Sequence, residues 1–159
     1  MKTRDVRSVL SLGALLGLVV ALFAAAEFFD ASLRGLCSIN SFFSCALVDR
    51  SGRTSTLGLP DYLWGIGGFV VILIVAGIAE RYDDDARWEY LLVLITTAGI
   101  GFSLYFLYVE LALIHALCIV CAVDYVFGAV AWVAAIVLAR RARAGRLNDG
   151  AEDRRASPS

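Results

Sequence analysis

Charge is scarce in this chain, and neither sign of it prevails. Only 18% of the 159 residues are charged, and the formal net charge is -1. That balance lacks the basic excess a nucleic-acid partner requires. Lys2 is the only lysine, so the basic residues are otherwise all arginine. The polarity of a soluble domain is missing too. The chain is 60% hydrophobic with a mean hydropathy of +0.76, against roughly 45–50% apolar residues in a soluble domain. What remains is a membrane-embedded bundle, and the length suggests one domain.

The apolar residues fall in four runs. Lys2, Arg4 and Arg7 lead into the first, Val9 to Phe29, which at roughly 20 residues can cross a bilayer. A cleaved signal peptide shares the basic start and the small residues Ala24 to Ala26. This apolar core is longer than the roughly 7–15 residues of a signal, so a retained helix is expected. The other runs are Tyr62 to Ala79, Tyr90 to Leu113 with Glu110 near its end, and Leu117 to Ala139. Pro60 suits the first position of the second helix, where its missing N–H costs nothing. Gly65, Gly67 and Gly68 mark either close helix packing or a ligand groove. A charged turn, Glu80 to Glu89, joins runs two and three, and a very short connection with His115 joins three and four.

Between runs one and two lies a polar segment, Asp30 to Pro60. A loop of about thirty residues generally has function or structure of its own, and Phe42, Phe43, Ala46 and Leu47 suit a short interfacial helix within it. Arg140 to Ser159 is charged, without apolar periodicity, and is expected to be disordered. The expected fold is therefore all-α: an integral membrane four-helix bundle over residues 1–139, a long outer loop between helices 1 and 2 carrying a short interfacial helix, and a tail over 140–159.

With four crossings both termini and the Glu80–Glu89 turn share one side. That side holds eleven of the fourteen basic residues, and the other holds Arg34, Arg50 and Arg53. The positive-inside rule puts the termini in the cytoplasm. All four cysteines then lie on or near the outer face, where disulfides persist. Cys37 and Cys45 are in the outer loop, and Cys118 and Cys121 are in the first turns of the fourth helix.

A C-x-x-C pair lies on nearly one helical face, close enough for a disulfide or a metal. The positive end of the helix dipole favours a thiolate in the first turn, which makes Cys118 the expected nucleophile. Cys121 lies one turn deeper. Tyr125 is four residues beyond it on the same face; it suits either a hydrogen bond to a carbonyl-bearing apolar ligand or an interfacial position. Asp124 is a carboxylate inside a membrane helix and a functional candidate on that ground. His115 suits either support of a thiolate or an ordinary interfacial place. Three readings are open for the four cysteines: two inert disulfides, an all-cysteine metal site, or a relay by thiol–disulfide exchange. The spacing of Cys37 and Cys45 is loose for a metal knuckle, so no metal is expected, and one loop pair plus one membrane pair suits a relay.

These elements together resemble the vitamin K epoxide reductase family. The resemblance rests on Cys37 and Cys45, Ser51 six residues on, and Cys118-Ile119-Val120-Cys121 with Tyr125 four later. It covers Leu36 to Tyr125 and the four-helix hydropathy on either side. The related quinone-dependent oxidase of bacterial disulfide formation has its C-x-x-C in the earlier loop, the reverse of the order here.

The resemblance implies a membrane thiol–disulfide oxidoreductase that supports disulfide formation. Cys37 and Cys45 would accept electrons from a separate thioredoxin-like thiol oxidase outside the cytoplasm. Cys45 would exchange with Cys118, and Cys121 would face a quinone of the menaquinone, ubiquinone or vitamin K type. The resemblance places Tyr125, Ser51, Asp61 and Trp64 at the quinone: Tyr125 on its carbonyl, Ser51 near it in the loop, and Trp64 as a pocket aromatic. Asp61 falls where the family often carries an asparagine, and an aspartate donates only when protonated. Two alternatives stay open: a quinone-epoxide reductase of the same fold, and a non-catalytic four-span protein with structural disulfides.

Overall fold

A computed structural model describes residues 3–34, 38–51, 55–56, 58–82 and 87–156. Four long helices dominate: α1 (Thr3–Phe29), α4 (Asp61–Arg81), α5 (Arg87–Tyr108) and α6 (Ile119–Ala156). All four are long and apolar enough to cross a membrane. Two short helices, α2 (Ala31–Arg34) and α3 (Cys45–Arg50), sit in the connection between α1 and α4. So does a small antiparallel hairpin of β1 (Ser55–Thr56) and β2 (Leu59–Pro60). Gly58 takes φ 79° in its turn, a left-handed conformation that glycine adopts without steric cost. The hairpin delivers the chain to α4, which begins at Asp61. Pro60 thus stands just before the helix rather than at its first position.

The helices form a ring. α1 and α5 each pack on α4 and α6 and face one another across the diagonal. Why they pack this way is written in residue size. The buried face of α1 is Val6, Leu10, Gly13, Ala14, Gly17 and Ala21, while Leu12, Leu15, Val19 and Leu22 point outward and are exposed. Opposite it, α6 offers Ala131, Ala134 and Ala135. In lipid, apolar side chains gain little from leaving the solvent, so small residues that let backbones approach drive association. At one end of the bundle Arg7 Nη2 donates to Glu89 Oε1 at 2.9 Å and ties α1 to α5. Trp132 Nε1 donates to Thr97 Oγ1 at 2.9 Å between α6 and α5.

The tail differs from the expectation. α6 does not stop near Ala139 but continues as one helix to Ala156. Alanine and arginine are both strong helix formers, and Ala139 to Arg146 consists of little else. Arg146 also reaches back, its Nη2 3.4 Å from the Tyr90 hydroxyl and its guanidinium 5.8 Å from that ring's centre.

Gly17 of α1 lies directly against Phe69 of α4, and a Cβ on Gly17 would clash with the Phe69 ring atoms. Overpacking of this kind costs about 1–3 kcal/mol, so Gly17→Ala is expected to lower the thermal midpoint in detergent. Phe69→Leu added to it should restore part of the loss. A Gly17→Ala protein as stable as the parent would show that this contact does not limit packing.

Candidate redox site

The fourth span does not follow the third by a simple loop. α5 ends in a π-helical turn, Val109–Ile114, and the chain then reverses at His115, the one non-glycine residue with positive φ (59°) among those described. Main-chain N–H groups of His115 and Ala116 both donate to the Glu110 carbonyl, the latter at 3.1 Å. Extra residues in a helical turn are characteristic of functional sites. Here the widened turn brings Glu110 round beneath the start of α6.

The outer loop closes on this same point. Phe43 and Leu117 form a parallel bridge. The Leu117 N–H donates to the Phe42 carbonyl at 2.7 Å, and the Ser44 N–H donates to the Leu117 carbonyl at 3.2 Å. Asn40 shapes the approach, its Oδ1 accepting from the N–H groups of Phe42 and Phe43 at 2.9 and 2.8 Å. Ser44 then caps α3, its hydroxyl accepting from the Leu47 N–H at 3.3 Å. Cys45 and Cys118 each follow directly on these anchored residues, and they meet. Their sulfurs are 3.2 Å apart, in a small cluster with Val48 and Ala116. Cys45 is 1% exposed and Cys118 4%.

Cys45 is disulfide-bonded, whereas Cys118 and Cys121 are free thiols. Cys37 lies outside the described residues. Cys118 is the residue just before α6 rather than inside its first turn, and Cys121 N–H donates to its sulfur at 3.4 Å. That is the geometry of a helix N-cap with sulfur as the acceptor. A thiol there faces both a helix N-terminus and a disulfide sulfur. The loop segment 38–51 is docked by main-chain bonds, which hold Cys45 against Cys118.

Below the sulfurs is a cavity of about 540 Å³. It is bounded by Cys45, Cys118 and Cys121 at one end and by Ala21, Phe69 and Ile72 of the main core at the other. Trp64 and Phe102 stack in its wall, 5.3 Å between centres and 17° apart in plane. Gly67, Gly68, Gly99 and Gly128 also line it, and a Cβ on any of them would meet nothing within 4 Å. These glycines leave room for a ligand. Gly65 is the one that allows close packing, a Cβ there lying 3.4 Å from Ala21 and 3.5 Å from Asp124 Oδ2.

Of the expected site residues, Cys45, Cys118, Cys121, Tyr125, Asp61 and Trp64 all line this cavity. Ser51 does not. It ends α3, and its hydroxyl donates to the Val48 carbonyl at 2.7 Å. Asp61 Oδ1 accepts from the Tyr62 N–H at 2.7 Å at the start of α4, and its Oδ2 accepts from the Cys121 thiol at 4.0 Å. Asp124 also lines the cavity, and its buried Oδ1 has no hydrogen-bond partner among the described residues. His115 is exposed and serves the chain reversal.

Tyr125 departs from the simple expectation. Its hydroxyl donates to Glu110 Oε1 at 3.1 Å. Glu110 is fully buried, and its other oxygen, Oε2, accepts from the Cys118 N–H at 3.3 Å. A carboxylate deep in an apolar run was a visible signal for this residue; its partners, brought together by the π-turn, were not. Among the described residues no cluster of potential metal ligands occurs.

A buried thiol against a disulfide-bonded cysteine, over an apolar cavity and within four spans, defines a membrane-embedded redox protein. The sequence places it further: the model of the vitamin K epoxide reductase family matches residues 8–136, and the chain belongs to that family. It is therefore a multi-pass membrane oxidoreductase related to vitamin K epoxide reductase, in a family associated with quinones. No curated protein sequence matches the chain.

If His115 serves the turn alone, glycine should replace it without loss. His115→Gly is expected to leave the alkylation rate of Cys118 unchanged and to hold or raise the thermal midpoint. His115→Val, forced into the left-handed region, should lose about 1–2 kcal/mol. Slower alkylation in His115→Gly would assign the imidazole a role at the thiol.

Proposed function

We propose that the protein oxidises the thiols of a separate thioredoxin-like partner and passes the electrons to a membrane quinone, so supporting disulfide formation. The observation that carries this is the 3.2 Å approach of Cys118 Sγ to the sulfur of a disulfide-bonded Cys45, at the wall of the cavity. Eleven basic residues against three place the termini in the cytoplasm and the cysteines at the extracytoplasmic face. A thiol partner there meets the loop pair directly.

The relay runs by two exchanges. A partner dithiol reduces the Cys37–Cys45 disulfide. Cys45 thiolate attacks Cys118 of the Cys118–Cys121 disulfide, forming the Cys45–Cys118 bond and expelling Cys121 thiolate. Cys37 thiolate then attacks Cys45, restoring the loop disulfide and expelling Cys118. The result is a disulfide-bonded Cys45 and a reduced C-x-x-C pair, which is the state the structure holds.

The cavity suits a quinone. Its walls are mainly apolar, with a flat aromatic stack from Trp64 and Phe102 and open space beside the glycines. Its polar groups include Asp61 on α4 and Asp124 and Tyr125 on α6, with Glu27, Thr96 and Ser103 contributed by α1 and α5. A bound quinone supplies a two-electron, two-proton acceptor. Trp64 and Phe102 would hold its ring flat, Cys121 would face it, and Tyr125, once released from Glu110, and a protonated Asp61 would donate to its carbonyl oxygens. Ser51 enters this reading only as the residue that ends α3, because its hydroxyl is turned to Val48.

Purified protein mixed with a reduced thioredoxin-like protein should reduce at least one of ubiquinone, menaquinone or vitamin K quinone, followed by absorbance. Transfer to none of them, or turnover of the epoxide alone, would sink the proposal. In Cys121→Ala the Cys45–Cys118 linkage should accumulate on non-reducing gels. Cys118→Ala should abolish it.

A further inference from the structure

Glu110 is the buried group that this relay leaves unused. It is wholly inaccessible, and both its carboxylate oxygens are engaged with the site: Oε2 with the Cys118 N–H at 3.3 Å and Oε1 with the Tyr125 hydroxyl at 3.1 Å. Its main-chain carbonyl is fixed as well, by the N–H groups of His115 and Ala116. One side chain thus touches the start of the C-x-x-C helix and the phenol at the cavity, fifteen residues apart from the latter in sequence.

We infer that Glu110 is a positioning residue that couples the two halves of the site: it holds the Cys118 main chain so that the sulfur stays against Cys45, and it draws the Tyr125 proton away from the cavity. The second half of this has a chemical consequence. A phenol that donates to Glu110 presents only its oxygen lone pairs to the cavity. It becomes a donor toward a ligand only when the bond to Glu110 is broken or reversed. Glu110 therefore sets whether Tyr125 can donate, without itself lining the cavity.

Donor chemistry makes the glutamine variant informative. The Cys118 N–H can only donate, so the amide oxygen of Glu110→Gln must face it. The amide NH2 then faces Tyr125, whose oxygen must accept and whose proton must turn outward. Glu110→Gln should keep the first function and invert the second. Glu110→Ala should lose both.

The inference rests on the relay reading, but two measurements on the full chain in detergent need no quinone and stand apart from it. The first is exchange within the protein. In a Cys121→Ala background, Cys118 attacks the Cys45 disulfide, forming the Cys45–Cys118 bond and releasing the Cys37 thiol. A photocleavable alkylating group placed on Cys118 during purification preserves the Cys37–Cys45 disulfide; light at neutral pH frees the thiol and starts the reaction, and acid quenching with mass spectrometry follows it. Glu110→Gln should exchange at about the parent rate, while Glu110→Ala should be slower by about tenfold or more, the worth of a hydrogen bond to a charged group. The second is the tyrosine Raman doublet, which reports whether a phenol donates or accepts. Subtracting the spectrum of the matching Tyr125→Phe protein isolates Tyr125. It should read as a donor in the parent and move toward an acceptor in Glu110→Gln. Parent-rate exchange in Glu110→Ala would overturn the first half of the inference. An unchanged Tyr125 signature in Glu110→Gln would overturn the second. Equal loss of exchange in both variants would reduce Glu110 to a structural residue.

Discussion

Everything at the redox end of this protein depends on where the main-chain groups of Leu117 find partners. A chain that leaves one membrane helix and enters another must satisfy its polar backbone groups close to hydrocarbon, where an unpaired N–H or C=O is costly. The break between α5 and α6 exposes such groups, and the outer loop supplies what they need through Phe42 and Ser44. Closing these bonds seats Cys45 on Cys118. The sulfur–sulfur contact is thus a by-product of backbone satisfaction. Two thiols would not by themselves order a long loop, given the entropy of fixing it.

The same break concentrates unusual conformations in a few residues. A π-turn, a left-handed histidine and a helix capped by sulfur follow one another within ten residues, Val109 to Cys118. Each is less favourable than plain helix, and each persists because its neighbours over-determine it. Glu110 shows how. It is bound at the main chain by the turn and at the side chain by Cys118 and Tyr125. A buried carboxylate with both oxygens hydrogen-bonded is far less costly than one without partners. The cavity follows from a separate economy. α4, α5 and α6 spend glycines where a larger side chain would fill it, while the small residues of α1 and α6 let the helices close tightly elsewhere.

Much of this was legible in the sequence, for reasons of scale. Spans of twenty apolar residues and a C-x-x-C at the head of the last one are signals that composition and spacing carry on their own. The structure sets that pair beside Tyr125, Asp61 and Trp64 around one cavity, the last two being positions that only the family resemblance suggested. What stayed hidden depends on contacts rather than pattern. The dock of the loop is made by main-chain atoms, which every residue has, so Phe42, Phe43 and Leu117 announce nothing. Glu110 was visible as an odd charge, but its partners come from a turn type that no residue pattern spells out. The family resemblance implies a place for Ser51 near the quinone, whereas in the structure it ends α3 with its hydroxyl on the Val48 carbonyl. The tail read as disordered because it is charged and lacks periodicity, whereas alanine and arginine sustain a helix without either.

The parallel bridge between Phe43 and Leu117 also says what kind of change this site can absorb. Because the bond is between backbones, the side chains at those two positions are free to vary within the limits of fit. Chain length is not. Cys45 stands two residues beyond one anchor and Cys118 one residue beyond the other. An insertion or deletion in either interval would swing a sulfur to the opposite side of its strand or helix turn, leaving the thiols intact and out of reach of each other. In this part of the molecule, spacing constrains the site more strictly than identity does.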